Sequence, residues 1–244
     1  MDKIKNHDNL MMFALIIVGA LILFNQVQVS AISSSFDTLT GTASKGSILF
    51  GSIFGSSGNV DLSDVDVTQI TSTAMALASL FPELSNIQND QDAIDIMIPT
   101  GTPEYSEALG GITFDDPVNS MEYLAKWYHS LNEEVKQNNP ETWQRYLSLA
   151  AAPRGISCEF CCGLGAQGIT AEGELMCGCK HQPALLAVTA GLMQNTDYSD
   201  AEVLREAMKW KTIWFPKNMI GLAMEVAGTD PSELQSLPGM VGGC

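Results

Sequence analysis

Five of the six cysteines in this chain lie within residues 158–179, and a histidine follows two positions later. The pattern is C-x2-C-C-x14-C-x-C-x-H, and its members are Cys158, Cys161, Cys162, Cys177, Cys179 and His181. Thiolates and imidazole are the ligands of tetrahedral zinc sites, which commonly join two close sets of ligands through a loop. Ligands that are close in sequence lose little chain entropy when they converge. We therefore predict a metal site made by four of these six groups.

The types of ligand restrict which metals can bind and which roles the metal can have. Four thiolates, or three thiolates and an imidazole, form a closed shell without an open position for substrate, which favours zinc in a structural or metal-handling role. Thiolates also suit Cu(I), and a [2Fe–2S] cluster takes four cysteines. The neighbouring Cys161 and Cys162 are not expected to bind one ion together. One of these two cysteines is therefore spare, bridging or held in a disulfide.

Two interpretations of the cysteines need no resident metal. Cys158 and Cys161 have the C-x-x-C spacing that lowers a thiol pKa at a helix start, as in an electron carrier or a thiol–disulfide oxidoreductase. The glycines that follow Cys162 are poor helix formers, which weighs against this interpretation. In an oxidising compartment, cysteines commonly form structural disulfides, and Cys244 would complete three bridges in a surface interaction module. That arrangement leaves His181 without a role, and Cys244 is otherwise a loose terminal thiol or a tether to another chain.

Helix signals precede the cysteines. Asp116 is a suitable N-cap and Pro117 a suitable first-turn residue for one helix, and Pro140 begins a second helix that ends just before the cysteines. Further upstream, 65–81 has apolar residues at helical spacing. The segment 93–98 alternates weakly between polar and apolar residues, so we expect a short strand there.

Helix signals also follow the cysteines. The apolar run 183–194 predicts a helix that begins close to His181. Ser199 and Glu202 have the spacing of a capping box, which predicts the start of another helix. Three basic residues on this helix are expected to face water: Arg205, Lys209 and Lys211. The chain is therefore predicted to be mainly α, with one small helical domain that a metal staples through its cysteine-rich loop.

The N-terminal segment predicts a membrane anchor. Leu10 to Phe24 is an uninterrupted apolar run of 15 residues, and two lysines precede it. A helix that continues to Val29 reaches the about 20 residues that a membrane span needs. The lysines place the N-terminus in the cytoplasm and the rest of the chain outside it. Residues 29–31 also resemble a signal-peptide cleavage site, and a cleaved signal would likewise place 32–244 outside the cytoplasm.

The organisation and the charge of the chain limit the functions that it can have. We divide it into a membrane anchor 1–31, a Gly/Ser-rich stalk 32–60, a mainly helical extracytoplasmic domain 61–236 and a flexible tail 237–244. The net charge of −16 repels nucleic acid, so we expect the membrane to be a partner and nucleic acid not to be one. No protein partner is indicated. The sequence lacks G-x-S-x-G, H-E-x-x-H and a phosphate-binding glycine loop, which favours a non-enzymatic role.

The chain resembles uncharacterised, membrane-anchored proteins from archaea of the small-genome lineages. The resemblance rests on ISCEFCCG (156–163), CGCKH (177–181), YSDAEVLREAMKWK (198–211) and WFP (214–216), together with the single N-terminal span. It implies that the cysteine cluster and the two helices that follow it form one unit. It brings no known activity.

Overall fold

Helices form on both sides of the cysteines, at the positions that the capping residues mark. The computed structural model describes residues 60–229 and 237–242, all of which fall in one structural unit. Its helices are α1 (Thr73–Leu80), α2 (Asp90–Met97), α3 (Pro117–Asn138), α4 (Pro140–Ala150), α5 (Glu159–Cys162), α6 (His181–Asn195), α7 (Asp200–Trp214) and α8 (Pro216–Ala227). Short 3-10 turns occupy Val67–Gln69, Pro82–Asn86 and Glu107–Leu109. The prediction of a mainly α domain is confirmed.

Local capping explains where several helices begin. The Asp116 side chain accepts a hydrogen bond from the backbone N–H of Asn119 at the start of α3. Asn139 ends α3 and also caps α4, because its side chain accepts from the backbone N–H of Thr142. Ser199 and Glu202 form the predicted capping box of α7. These groups satisfy backbone N–H donors that would otherwise lack partners at the helix starts.

The segment 93–98 is not the predicted strand. Residues 90–97 form α2, with the Asn89 side chain accepting a hydrogen bond from the backbone N–H of Asp92. Ala93 and Met97, which are one turn apart, form the buried face of this helix. The only β pairing in 60–229 and 237–242 is an isolated antiparallel bridge between Ile169 and Leu175.

Helix α6 is the centre of the packing. Every residue of α6 from His181 to Met193 is buried, as expected for a helix that is apolar on all sides. Helices α3, α4 and α7 pack around it. Gly191 lets neighbouring elements approach, because a Cβ at this position would lie 3.1 Å from the Trp127 ring. Since α6 begins two residues after Cys179, its packing fixes the position of one end of the cysteine loop.

Helix α7 is more deeply buried than its sequence suggests. Arg205 and Lys209 are almost completely covered, and Lys211 has no exposed surface. The expectation that these three residues face water is therefore wrong. Each of the three makes an ion pair with a carboxylate, which lowers the cost of removing its charge from water.

The predicted membrane anchor 1–31, the predicted stalk up to residue 59 and Cys244 lie outside the described residues. Within the described part of the chain, no helix has the length and apolar character needed to cross a bilayer. Residues 237–242, which begin the predicted tail, contact the helical unit. The N–H of Val241 donates to the Trp214 carbonyl at 2.8 Å, and the Pro238 carbonyl accepts from the N–H of Lys217 at 3.2 Å.

Candidate metal centre

A short hairpin brings the two sets of cysteines together. Helix α5 ends at Gly163, whose φ of +67° is in the left-handed region that favours glycine. The chain then turns back through the bridge between Ile169 and Leu175, with Thr170 N–H donating to the Glu174 carbonyl at 2.9 Å. At Gly173, φ is +90° and a Cβ would lie 2.7 Å from the Trp143 ring. A residue without a side chain is therefore required where the hairpin packs on α4.

Four sulfur atoms converge at the open end of this hairpin. The Sγ atoms of Cys158, Cys162, Cys177 and Cys179 all lie within 4.8 Å of one another. The Cys158 Sγ is 3.7 Å from that of Cys162 and 3.1 Å from that of Cys179. Cys158 and Cys179 are buried, whereas the other two are half-buried. The predicted convergence of the two cysteine segments is confirmed.

One sulfur–sulfur separation in this group matches a tetrahedral metal site, whereas the 3.1 Å between Cys158 and Cys179 is shorter. With zinc–sulfur bonds of about 2.3 Å, the sulfur atoms of a tetrahedral site are about 3.8 Å apart. The separation of 3.7 Å between Cys158 and Cys162 matches this spacing. Cys162 and Cys177 are joined by a disulfide, so two of the four sulfurs are oxidised. Because metal binding requires thiolates, the disulfide and a four-sulfur metal site are alternative states of the same residues.

The structure brings Cys162, and not its neighbour Cys161, into the four-sulfur group. Cys158 is the N-cap residue of α5 and Cys162 is the last residue of this helix, and their Sγ atoms are 3.7 Å apart. Cys161 is half-buried and is not a member of the four-sulfur group. The sequence had left open which of these two adjacent cysteines is spare or held in a disulfide. Because Cys161 is adjacent to Cys162, its substitution is a matched control for substitutions at Cys162.

His181 is near the sulfur group but is not a member of it. Its ring is fully buried, Nε2 lies 2.8 Å from the Val241 carbonyl oxygen, and Nδ1 has no hydrogen-bond partner among the described residues. The ring packs against Phe215, with 4.8 Å between the ring centroids. It therefore occupies the predicted position at the start of α6, beside Cys179 rather than among the four sulfurs.

The two reduced cysteines of the group differ in acidity. The pKa of Cys179 is lowered to about 4, chiefly because its hydrogen bond with Cys158 stabilises the thiolate, with a smaller effect from His181. The same hydrogen bond raises the pKa of Cys158, and burial raises it further. The two thiols therefore behave as a pair in which one ionises readily and the other keeps its proton. A thiolate is the form that binds a metal or attacks a disulfide.

Gln182 connects the two sides of the hairpin and was not singled out from the sequence. Its side chain is buried, and its Oε1 accepts from the backbone N–H of Cys158 at 2.9 Å. Its Nε2 donates to the Gly168 carbonyl at 3.1 Å and to the Ile156 carbonyl at 3.4 Å. The signal in the sequence was a lone amide at the start of an apolar helix, directly after His181.

Comparison with known proteins does not extend this assignment: neither a family model, nor a curated protein, nor a solved structure matches the chain. The resemblance to uncharacterised archaeal membrane proteins therefore stays a prediction. The geometry of the sulfur group is the observation from which function is inferred.

Proposed function

We propose that this chain is a membrane-anchored, extracytoplasmic protein that binds zinc through Cys158, Cys162, Cys177 and Cys179. The observation that carries this proposal is the approach of these four Sγ atoms to within 4.8 Å of one another. Zinc would use all four thiolates and leave no position for a substrate, so its role is structural or metal-handling rather than catalytic. Cu(I) and a [2Fe–2S] cluster accept the same ligands and are outcomes of the test.

The membrane and extracytoplasmic parts of the proposal rest on the sequence. The apolar run 10–24 follows two lysines, which supports an anchor with its N-terminus in the cytoplasm. The net charge of −16 favours a soluble outer domain and disfavours binding to nucleic acid. A metal-stapled loop stabilises such a domain, since a structural zinc adds its binding free energy to folding.

A second candidate function is thiol–disulfide exchange, which the disulfide beside two reduced thiols favours. The Cys158 Sγ lies 3.7 Å from the Cys162 Sγ, which is itself bonded to Cys177. Attack by Cys158, which would pass its proton to the neighbouring Cys179 thiolate, would form a bond to Cys162 and release Cys177 as a thiolate that takes up this proton. Attack by Cys179 on Cys158 would then release Cys162 as a thiolate. The result is a Cys158–Cys179 disulfide and two thiols, with no net gain or loss of electrons.

Metal analysis of matched cysteine variants tests the proposal. The full chain, purified under reducing conditions, should contain about one zinc ion and no visible absorbance. C162S should lose the metal because it removes one of four ligands, whereas C161S should retain it. Iron with visible absorbance would indicate a cluster. If the chain contains no metal and forms a Cys158–Cys179 disulfide on mild oxidation, zinc binding is refuted and the exchange function is supported.

A further inference from the structure

Lys211 on α7 is a buried cation directed at the segment that carries the first cysteines. The residue has no exposed surface. Its Nζ donates to Glu159 Oε1 at 2.7 Å, to the Gly155 carbonyl at 2.8 Å and to Thr73 Oγ1 at 3.1 Å. It also lies 5.0 Å from the centroid of the Phe160 ring. Three of its four contacts are therefore within residues 155–160, immediately around Cys158.

The same carboxylate is held from a second side. The Thr73 hydroxyl also donates to Glu159 Oε1, so Thr73, Glu159 and Lys211 form a closed set of hydrogen bonds. The pKa of Lys211 is lowered to about 8 because burial disfavours its charge, and the charge and hydrogen bond of Glu159 oppose that effect. This network connects α1 and α7 to the first residue of α5.

Helix α5 depends on such external contacts. It has only four residues, and its N-cap residue, Cys158, makes no side-chain capping bond. A helix this short does not form by itself, because nucleation fixes several residues for very few hydrogen bonds. The positions of Cys158 and Cys162 are therefore determined by whatever holds residues 155–162 against the domain.

We propose that Lys211 is a positioning residue of the metal site. By holding Glu159 and the Gly155 carbonyl, it keeps Cys158 and Cys162 at metal-binding distance before the ion arrives. Without this anchor, metal binding must also order α5, and the entropy of that ordering weakens the affinity. This inference rests on the proposed zinc site and assigns to it a supporting residue far away in the sequence.

Arg205 provides a matched comparison on the same helix. It is also buried and also paired with a carboxylate, at 2.6 Å from Glu83 Oε1, and it donates to the Leu80 carbonyl. These partners are not part of the cysteine hairpin. Replacement of Arg205 should therefore destabilise the domain without changing how tightly the sulfur group binds zinc.

Zinc affinity separates positioning from general stability. The reduced full chain in detergent is titrated with zinc against a chromophoric chelator, and thermal unfolding is measured in parallel. K211M should bind zinc about 10–100-fold more weakly, the range seen when a group that supports metal ligands is lost. T73V removes two hydrogen bonds of the network without a charge and should weaken binding by a smaller factor. The control R205M should melt at a lower temperature but keep wild-type affinity.

A second control matches T73V. Thr189 is equally buried, but its hydroxyl donates to the Leu185 carbonyl within α6, so T189V should leave zinc affinity unchanged. If K211M does not fold, the zinc affinity of T73V tests the positioning role instead. Folded K211M or T73V with wild-type affinity overturns the positioning role and leaves the zinc site intact. A wild-type chain that binds no zinc overturns the proposed function and the positioning role with it.

Discussion

Replacement of Gln182 by leucine should destabilise the domain by removing the connection between α6 and the cysteine hairpin. Leucine has a similar size but cannot make the three hydrogen bonds of the buried amide. The buried N–H of Cys158 would lose its acceptor, and an unsatisfied buried donor costs about 1–3 kcal/mol. The carbonyls of Gly168 and Ile156 lose a donor as well. We expect the free energy of unfolding to fall by about 2–4 kcal/mol in total.

Urea unfolding of the full chain, followed by tryptophan fluorescence, measures this loss, with wild type and variant compared at equal metal content. Q194L is the matched control. Gln194 also lies on α6, but it is half-buried and its Oε1 accepts a single hydrogen bond, from Asn139 Nδ2 at 3.2 Å. Its replacement should cost less than about 1 kcal/mol. If Q182L costs no more than Q194L, the Gln182 hydrogen bonds do not hold the hairpin and the reasoning is refuted.

Three further predictions concern the hairpin, pH and the metal. G173A should destabilise the domain by about 1–3 kcal/mol, because its Cβ would meet the Trp143 ring and φ is positive. G239A should leave stability unchanged, because Gly239 has open space around it and no positive φ. Equal unfolding midpoints for G173A and G239A would contradict the packing argument. Between about pH 8 and pH 10.5, unfolded Lys211 keeps its proton while folded Lys211 loses it, so this group makes stability rise with pH, by about 3 kcal/mol in all. The difference in unfolding free energy between wild type and K211M should rise over this range, and a flat difference would refute the pKa shift. Removing the metal from the reduced chain with a chelator should lower the melting temperature of wild type but not of C162S, and equal shifts would place the metal elsewhere.

Local signals made much of the fold predictable. Proline in the first turn of α3 and α4, an aspartate cap and a capping box act within a few residues of the helix start, so the sequence displays them directly. The segment 93–98 shows the limit of this approach. Its short polar and apolar alternation fits a strand, but the Asn89 cap and the burial of Ala93 and Met97 favour a helix.

The sequence also determined that the cysteines would gather. Two close sets on either side of a glycine-rich loop need little entropy to converge, and the four sulfur atoms do lie together. Which cysteine of the neighbouring pair joins them was visible only in the structure. Positions three and four residues after a given residue are both its neighbours on a helix, so the spacing does not choose between Cys161 and Cys162, and only Cys162 belongs to the group.

Only the tertiary structure assigned the supporting residues. Lys211 looked like a solvent-facing lysine because its partners are 52 and 138 residues away in sequence, and Gln182 looked like an incidental amide in an apolar helix. Helix starts and ligand clustering depend on neighbours along the chain, which the sequence records. Burial and hydrogen bonding depend on which helices pack together, and that packing placed a buried ammonium and a buried amide against the cysteine hairpin.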